Sequence, residues 1–131
     1  MMSYLSRSPK PILFESVKWC GSEAAPGVRF AVRRPSLGQR IELTYKIQEL
    51  MRKHEFLKAG ADCENVDATL AELLGQQTYL RWGLAAVENL LIDGEPATAD
   101  LLIDRGPEDL VAEIVVAIQH ECGLTEEDKK N

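Results

Sequence analysis

The chain has 131 residues, of which 45% are hydrophobic and 27% are charged, and its formal net charge at pH 7 is −6. This length and composition predict one soluble globular domain. The acidic balance argues against general nucleic-acid binding. No stretch predicts a membrane span or a signal peptide. The three cysteines are widely spaced, as is typical of a reducing compartment, so we expect a cytoplasmic protein.

The charges are distributed unevenly along the chain. Residues 27–60 contain eight Arg or Lys and three Glu, a net charge of +5, whereas residues 61–131 contain four Arg or Lys and sixteen Asp or Glu, a net charge of −12. The two segments could pair within the fold, form two solvated faces, or direct assembly with a partner.

The first elements predict a β-hairpin over residues 12–34 after a flexible lead at residues 1–11. A strand is predicted from Ile12 to Trp19, a turn over residues 21–27, and a second strand from Val28 to Arg33. In the second strand the side chains alternate, with Val28, Phe30 and Val32 on one face and Arg29, Ala31 and Arg33 on the other. Such a hairpin needs helices to cover its apolar face.

A helix is predicted next, from Ser36 to about Leu57. Ser36 and Gln39 match the capping box that begins many helices, and Gly60 is the predicted end. The apolar residues at helical spacing are Ile41, Leu43, Ile47, Leu50, Met51 and Phe56.

The longest predicted element is a central helix over about residues 66–92. Asn65 is its predicted N-cap and Gly94 its C′ residue, while Gly75 leaves a break into two helices open. Along one side of this helix the positions repeat at alternating steps of four and three residues: Val66, Leu70, Leu73, Gln77, Leu80, Leu84, Val87 and Leu91. Four further apolar residues lie beside this stripe and make it wider: Tyr79, Trp82, Ala86 and Leu90. We expect this helix to contact more than one neighbour.

Two further helices are predicted before a charged tail at residues 124–131. Thr98 caps a short apolar segment that ends at Ile103, and Gly106-Pro107 begins a helix that ends before Gly123. The apolar side of the last helix holds Leu110, Val111, Ile114, Val115 and Ile118. The fold class is therefore mainly α (α+β): a small N-terminal β-hairpin on a bundle of three to five helices, all in one domain over residues 12–123.

The sequence does not predict an active site. His120 and Cys122 lie two residues apart, and Cys63 could join them, but paired metal ligands at short spacing are missing. The chain contains none of the common phosphate-binding, metalloprotease or serine-hydrolase motifs. We predict no catalytic residue, no metal and no cofactor, although a Cys–His pair with His54 or His120 would become visible only in the fold.

Protein binding is the remaining prediction. Its candidate residues are the basic cluster and two aromatic residues of the central helix: Arg29, Arg33, Arg34, Arg40, Tyr79 and Trp82. The alternative is a small nucleic-acid-binding or regulatory module that uses the Arg29–Arg40 segment on phosphates.

Four stretches of the chain also carry a family resemblance. They are a β-like lead, a helix with its following turn, a Gly-Pro helix start, and a Leu-Thr-Glu-Glu tail: Gly27–Ser36, Trp82–Thr98, Gly106–Ile114 and Gly123–Asn131. In these features the chain resembles the tail assembly chaperones of long-tailed bacteriophages and prophages. Residues 40–65 carry no part of the likeness.

The resemblance implies a mostly helical, non-catalytic protein in the cytoplasm of the bacterial host. Members of that family bind the tape measure protein and help tail-tube subunits polymerise around it, and they are absent from the finished virion. They often self-associate, and many have a longer form made by ribosomal frameshifting. The family supplies no catalytic residues. The expected partners are therefore the tape measure protein and the tail-tube protein.

Overall fold

The computed structural model describes residues 10–59 and 64–123 of the chain. The description leaves out residues 1–9, residues 60–63 with the predicted helix end Gly60, and the predicted tail at residues 124–131. The elements in chain order are β1 (Val17–Gly21), β2 (Arg29–Arg33), α1 (Leu37–Ala59), α2 (Glu64–Gly83), β3 (Leu84–Glu88), β4 (Leu91–Ile92), β5 (Glu95–Pro96), α3 (Ala99–Arg105) and α4 (Glu108–Glu121). The predicted α+β class is confirmed.

The N-terminal hairpin is confirmed, with a later start than predicted. β1 and β2 are antiparallel, and their register runs from Val17 opposite Arg33 to Gly21 opposite Arg29. Residues 12–16, which the sequence predicts as part of the first strand, lie outside it. β2 ends at Arg33, and the pairing continues before Val17 by one bond, in which the backbone N–H of Arg34 donates to the Ser16 carbonyl at 2.8 Å.

The predicted central helix is wrong beyond Gly83. Residues 84–88 form β3, which pairs antiparallel with β2, so the sheet order is β1-β2-β3. β2 is buried at three successive positions, Phe30, Ala31 and Val32. A helix over residues 84–88 would leave the second edge of this buried strand without backbone partners, which is costly. The pairing therefore overrides the helical spacing of the side chains.

Residues 91–96 form a second, two-stranded sheet instead of a helix end. β4 pairs with β5 around Asp93 and Gly94, whose φ angles of 51° and 84° are both positive. Two positive φ angles at the centre of a two-residue loop are typical of a type I′ turn, for which Asp-Gly is a preferred sequence. Gly94 is thus a turn residue and not the C′ residue of the central helix.

The start of α1 agrees with the capping-box prediction. The backbone N–H of Gln39 donates to Ser36 Oγ at 3.2 Å, and the backbone N–H of Ser36 donates to Gln39 Oε1 at 3.0 Å. The two bonds satisfy donors that the first turn of a helix leaves free. They fix the position of α1 directly after the sheet.

α2 is continuous through Gly75, and it begins at Glu64, one residue before the predicted N-cap Asn65. Its predicted stripe is buried only near the C-terminal end. Leu80 is fully buried, whereas Leu70 and Leu73 are exposed. The N-terminal half of α2 extends beyond the core, so its leucines lack the neighbours that the sequence predicts.

The hydrophobic core lies between the sheet, the end of α2 and α4. Its largest fully buried side chains come from β2, α2, α3 and α4: Phe30, Val32, Leu80, Leu102, Leu110, Ile114 and Ile118. α4 begins at Glu108, and Pro107, which the sequence predicts as its first helical residue, is instead its N-cap residue with an extended backbone. α3 begins after Thr98, whose side chain accepts the backbone N–H of Leu101.

A carboxylate of α4 holds the loop between β1 and β2. Ser22 Oγ donates to Glu113 Oε1 at 2.5 Å, and the backbone N–H of Glu23 donates to Oε2 at 2.7 Å. Partial burial raises the pKa of Glu113, but the hydrogen bonds from Ser22 and the backbone of Glu23 and Ala24 outweigh it, and the pKa lies below its ordinary value. The hairpin is thus fastened to the last helix by an ionised group.

This arrangement predicts a pH-dependent stability. The folded pKa of Glu113 is lowered, so its contribution is present above the unfolded pKa and is lost as pH falls through the folded pKa. We expect Glu113→Gln to cost about 1–2 kcal/mol of unfolding free energy at neutral pH, and this difference to shrink below pH about 4.5. Urea unfolding at several pH values measures it, with Glu42→Gln, at an exposed carboxylate of α1, as the control. A difference that stays constant with pH would contradict the assignment.

Candidate protein-binding surface

α1 has a short inner face. Leu43 is buried, and Ile47 and Leu50 are half-buried where the helix packs on α2. At 1.5 Å per residue, a helix of 23 residues is about 35 Å long, so this face occupies only part of its surface. Between Leu37 and Lys53, where the side chains are described, most residues of α1 are exposed to solvent.

A second face of α1 carries apolar side chains that the fold does not cover. We call it the outer face of α1, and it comprises Leu37, Ile41, Thr44, Tyr45, Gln48 and Met51. Leu37 is 78% exposed, Ile41 50%, Tyr45 69% and Met51 58%. Scattered exposed apolar residues are ordinary, but several aligned on one side of a helix indicate an interaction surface.

The outer face also contains a concave site. Ile41, Thr44, Tyr45, Gln48 and Arg40 line a shallow hollow of about 330 Å³. The hollow lies between side chains of one helix, so it is open to an incoming side chain. A surface of this kind accepts a protruding group from a partner helix.

Two arginines flank the outer face. Arg40 and Arg52 are both exposed, and neither forms an ion pair with any residue that the structure describes. The face is therefore apolar along its centre and positive at its edges. A partner with carboxylates beside an apolar stripe would complement it.

Two of the predicted binding arginines form ion pairs within the fold. Arg29 Nη1 lies 3.7 Å from Glu88 Oε2, and its Cζ lies 5.0 Å from the centroid of the Trp19 ring. Arg34 Nε lies 3.4 Å from Glu121 Oε1. These contacts are internal pairing of the basic and acidic segments, one of the three alternatives that the charge distribution leaves open.

Arg33 lies in a different place from Arg40. It lines a groove of about 430 Å³ between α1 and α2, together with Lys46, Lys53, Arg81 and Trp82 among others. The fold thus brings Arg33 and Trp82 to one groove and places Arg40 on another side of α1. The six predicted residues do not form a single site.

The two predicted aromatic residues belong to the core. Trp82 is buried, and its Nε1–H has no hydrogen-bond partner in the part of the chain that the structure describes. Tyr79 is partly buried against the core, and its hydroxyl is hydrogen-bonded to the side chain of Gln119. Burial, and secondarily Cys122, raises the pKa of Tyr79. Packing accounts for both positions.

The sequence reasoning missed the outer face of α1. Helical spacing places Ile41 and Met51 in the one apolar stripe predicted for this helix, which does not include Leu37 and Tyr45. The signal was present in the spacing: Leu37, Ile41, Thr44, Gln48 and Met51 follow one another at steps of four, three, four and three residues. A helix with two apolar stripes on different sides contacts more than its own core.

The residues considered for catalysis or metal binding do not form a cluster in the described part of the chain. The side chain of His120 is 74% exposed, whereas Cys122 is buried. Burial raises the pKa of the Cys122 thiol, which disfavours the thiolate that nucleophilic catalysis requires. Among the side chains that the structure describes, in residues 10–53 and 68–123, no group of His, Cys, Asp and Glu could hold a metal ion. Cys63 and the side chain of His54 lie outside the description.

A helix that crosses a membrane must be both long and apolar. None of the described helices combines the length and the apolar character that crossing a bilayer needs.

Comparison of the chain with protein-family models, with curated proteins and with solved structures gave no match.

Proposed function

We propose that this chain is a non-catalytic phage tail assembly chaperone that acts in the cytoplasm of the bacterial host. Its proposed partners are the tape measure protein and the tail-tube protein. The motif resemblance suggests this role, and the uncovered outer face of α1 is the observation that supports it best. A chaperone of this kind needs an adhesive apolar surface on an otherwise folded domain.

The outer face suits transient binding. Its exposed apolar residues lie on a helix that is capped at Ser36 and packed on α2, so the surface is formed before the partner arrives. Preformed surfaces avoid the entropic cost of ordering on binding. The exposed segment Ile12-Leu13-Phe14 supplies further apolar area ahead of β1.

The test is capture of the tape measure protein encoded with this chain. We expect the wild-type protein to retain it in a pull-down, and Ile41→Glu to reduce retention at least tenfold, because a buried carboxylate without a partner costs several kcal/mol at an interface. Val116→Glu is the matched control, because Val116 is also an exposed apolar residue on a helix. Failure of the wild-type protein to retain the tape measure protein would refute the proposal.

The nucleic-acid alternative receives less support. Arg29 and Arg34 are occupied by Glu88 and Glu121, which leaves two of the four arginines of the basic cluster for phosphates. An electrophoretic shift at low salt that fades steeply with added salt would favour it over the chaperone proposal.

A further inference from the structure

We propose that the outer face of α1 is one half of a two-helix seam, and that its occupant is an acidic amphipathic helix of a partner protein. This inference deepens the proposed function, on which it rests for the identity of the partner. It commits to the chemistry of the occupant: apolar residues at heptad spacing with Asp or Glu beside them.

The first support is the repeat along α1. Leu37, Ile41, Thr44, Gln48 and Met51 have the four–three spacing of the a and d positions in a coiled coil. The repeat extends over about 21 Å at 1.5 Å per residue, which is four turns of helix. Its centre is polar at Thr44 and Gln48, and such positions in coiled coils select the register of the partner.

The second support is the geometry of the hollow. Four of its lining residues, Ile41, Thr44, Tyr45 and Gln48, occupy positions i, i+3, i+4 and i+7 of α1. Four residues in this arrangement form the hole that receives a knob side chain from the facing helix. A helix offers knobs at the spacing of such holes, whereas an extended strand does not, so the occupant is a helix.

The third support is the charge at the flanks. With Ile41 at position a, Arg40 falls at position g and Arg52 at position e. Residues at e and g form the ion pairs between helices that determine which partners associate. Both arginines lack an ion pair in the described structure, so both are available to carboxylates of a facing helix.

A second copy of this chain is a weaker candidate for the occupant. The most acidic helix of the fold is α4, and its apolar residues Leu110, Ile114 and Ile118 are fully buried in the core. It cannot present them to α1 of another molecule without unfolding. Among the α2 side chains that the structure describes, the exposed leucines are Leu70 and Leu73, which span one turn and cannot match a repeat of four turns. The occupant is therefore expected on a different protein.

The experiment uses two synthetic peptides about three heptads long, with the same Leu and Ile residues at a and d. One carries Glu at every e and g position and the other carries Lys. Fluorescence anisotropy measures the binding of each to the full chain. We expect the acidic peptide to bind about tenfold more tightly than the basic one. The reason is that Arg40 and Arg52 attract the Glu side chains of the acidic peptide and repel the Lys side chains of the basic peptide.

A charge reversal locates the site. Arg40→Glu/Arg52→Glu should weaken the acidic peptide about tenfold and strengthen the basic one. Lys46→Glu/Lys53→Glu is the matched control: it changes the charge of the same helix equally, on residues that line the α1–α2 groove, and should leave the preference intact. Should the first variant fail to fold by circular dichroism, Arg40→Gln/Arg52→Gln replaces it, with Lys46→Gln/Lys53→Gln as control.

Several results would overturn the inference. They are equal binding of the two peptides, absence of binding to either, or an equal effect of the control variant. A dimer in light scattering that Ile41→Glu dissociates would assign the face to a second copy instead. If the tape measure protein is retained but the acidic peptide is not bound, the seam is wrong and the chaperone proposal stands. If the peptide binds and the tape measure protein does not, the chaperone proposal fails alone.

Discussion

Replacing Phe30 by alanine is expected to lower the free energy of unfolding by about 3–5 kcal/mol. Phe30 is 2% exposed and lies in the central strand of the sheet, where it packs in the same cluster as Leu80 and Ile114. Deleting its ring removes the apolar area that it buries and leaves a cavity that the strand pairing on both sides prevents from closing.

The same substitution at Phe14 is the control. Phe14 is 68% exposed in the segment before β1, so Phe14→Ala should change stability by no more than about 0.5 kcal/mol. Urea unfolding followed by far-UV circular dichroism compares the two variants. Similar losses for both would mean that the core does not centre on β2.

The elements that the sequence predicts correctly are those with local chemical causes. The capping box of Ser36 and Gln39, the cap at Thr98 and the start of α4 after Pro107 all depend on residues within four positions of each other. The broad apolar side of α4 is likewise set by a repeat within one helix. Such features are independent of how the rest of the chain folds.

The error over residues 84–92 has a non-local cause. β3 exists because β2, more than fifty residues earlier, has a second edge that must be paired. The spacing of Leu84, Val87 and Leu91 fits a helix, and nothing nearby in sequence reports the strand partner. Asp93-Gly94 is a local signal for a hairpin, but after a stretch with helical spacing the same residues also fit a helix end.

The candidate surface was predicted only in part. The basic character of α1 was visible, and Arg40 remains one of the residues that flank the outer face. Which arginines are free depends on the fold, because Glu88 and Glu121 reach Arg29 and Arg34 only when β3 and α4 are in place. The apolar outer face was readable from spacing but could not be separated from the core-facing stripe without knowing where α2 packs.

The second large effect concerns the contact between the end of α2 and α4. A Cβ atom added at Gly83 would lie 2.5 Å from Cγ2, 2.8 Å from Cγ1 and 2.9 Å from Cδ1 of Ile118. Ile118 is fully buried and β-branched, so it cannot turn away cheaply. Gly75 lies in the same helix, and a Cβ atom there would meet nothing within 4 Å. Two glycines of one helix are therefore in opposite steric situations.

We expect Gly83→Ala to destabilise the protein by about 1–3 kcal/mol, because α2 and α4 must separate or Ile118 must leave its rotamer. Gly75→Ala should stabilise it by up to about 1 kcal/mol, because alanine favours the helix and meets open space. Urea unfolding of both variants tests the opposite signs. Ile118→Ala removes all three opposing atoms, so in that background Gly83→Ala should lose its cost, and a double-mutant cycle measures the coupling. A cost for Gly83→Ala that persists in that background would show that it does not arise from contact with Ile118.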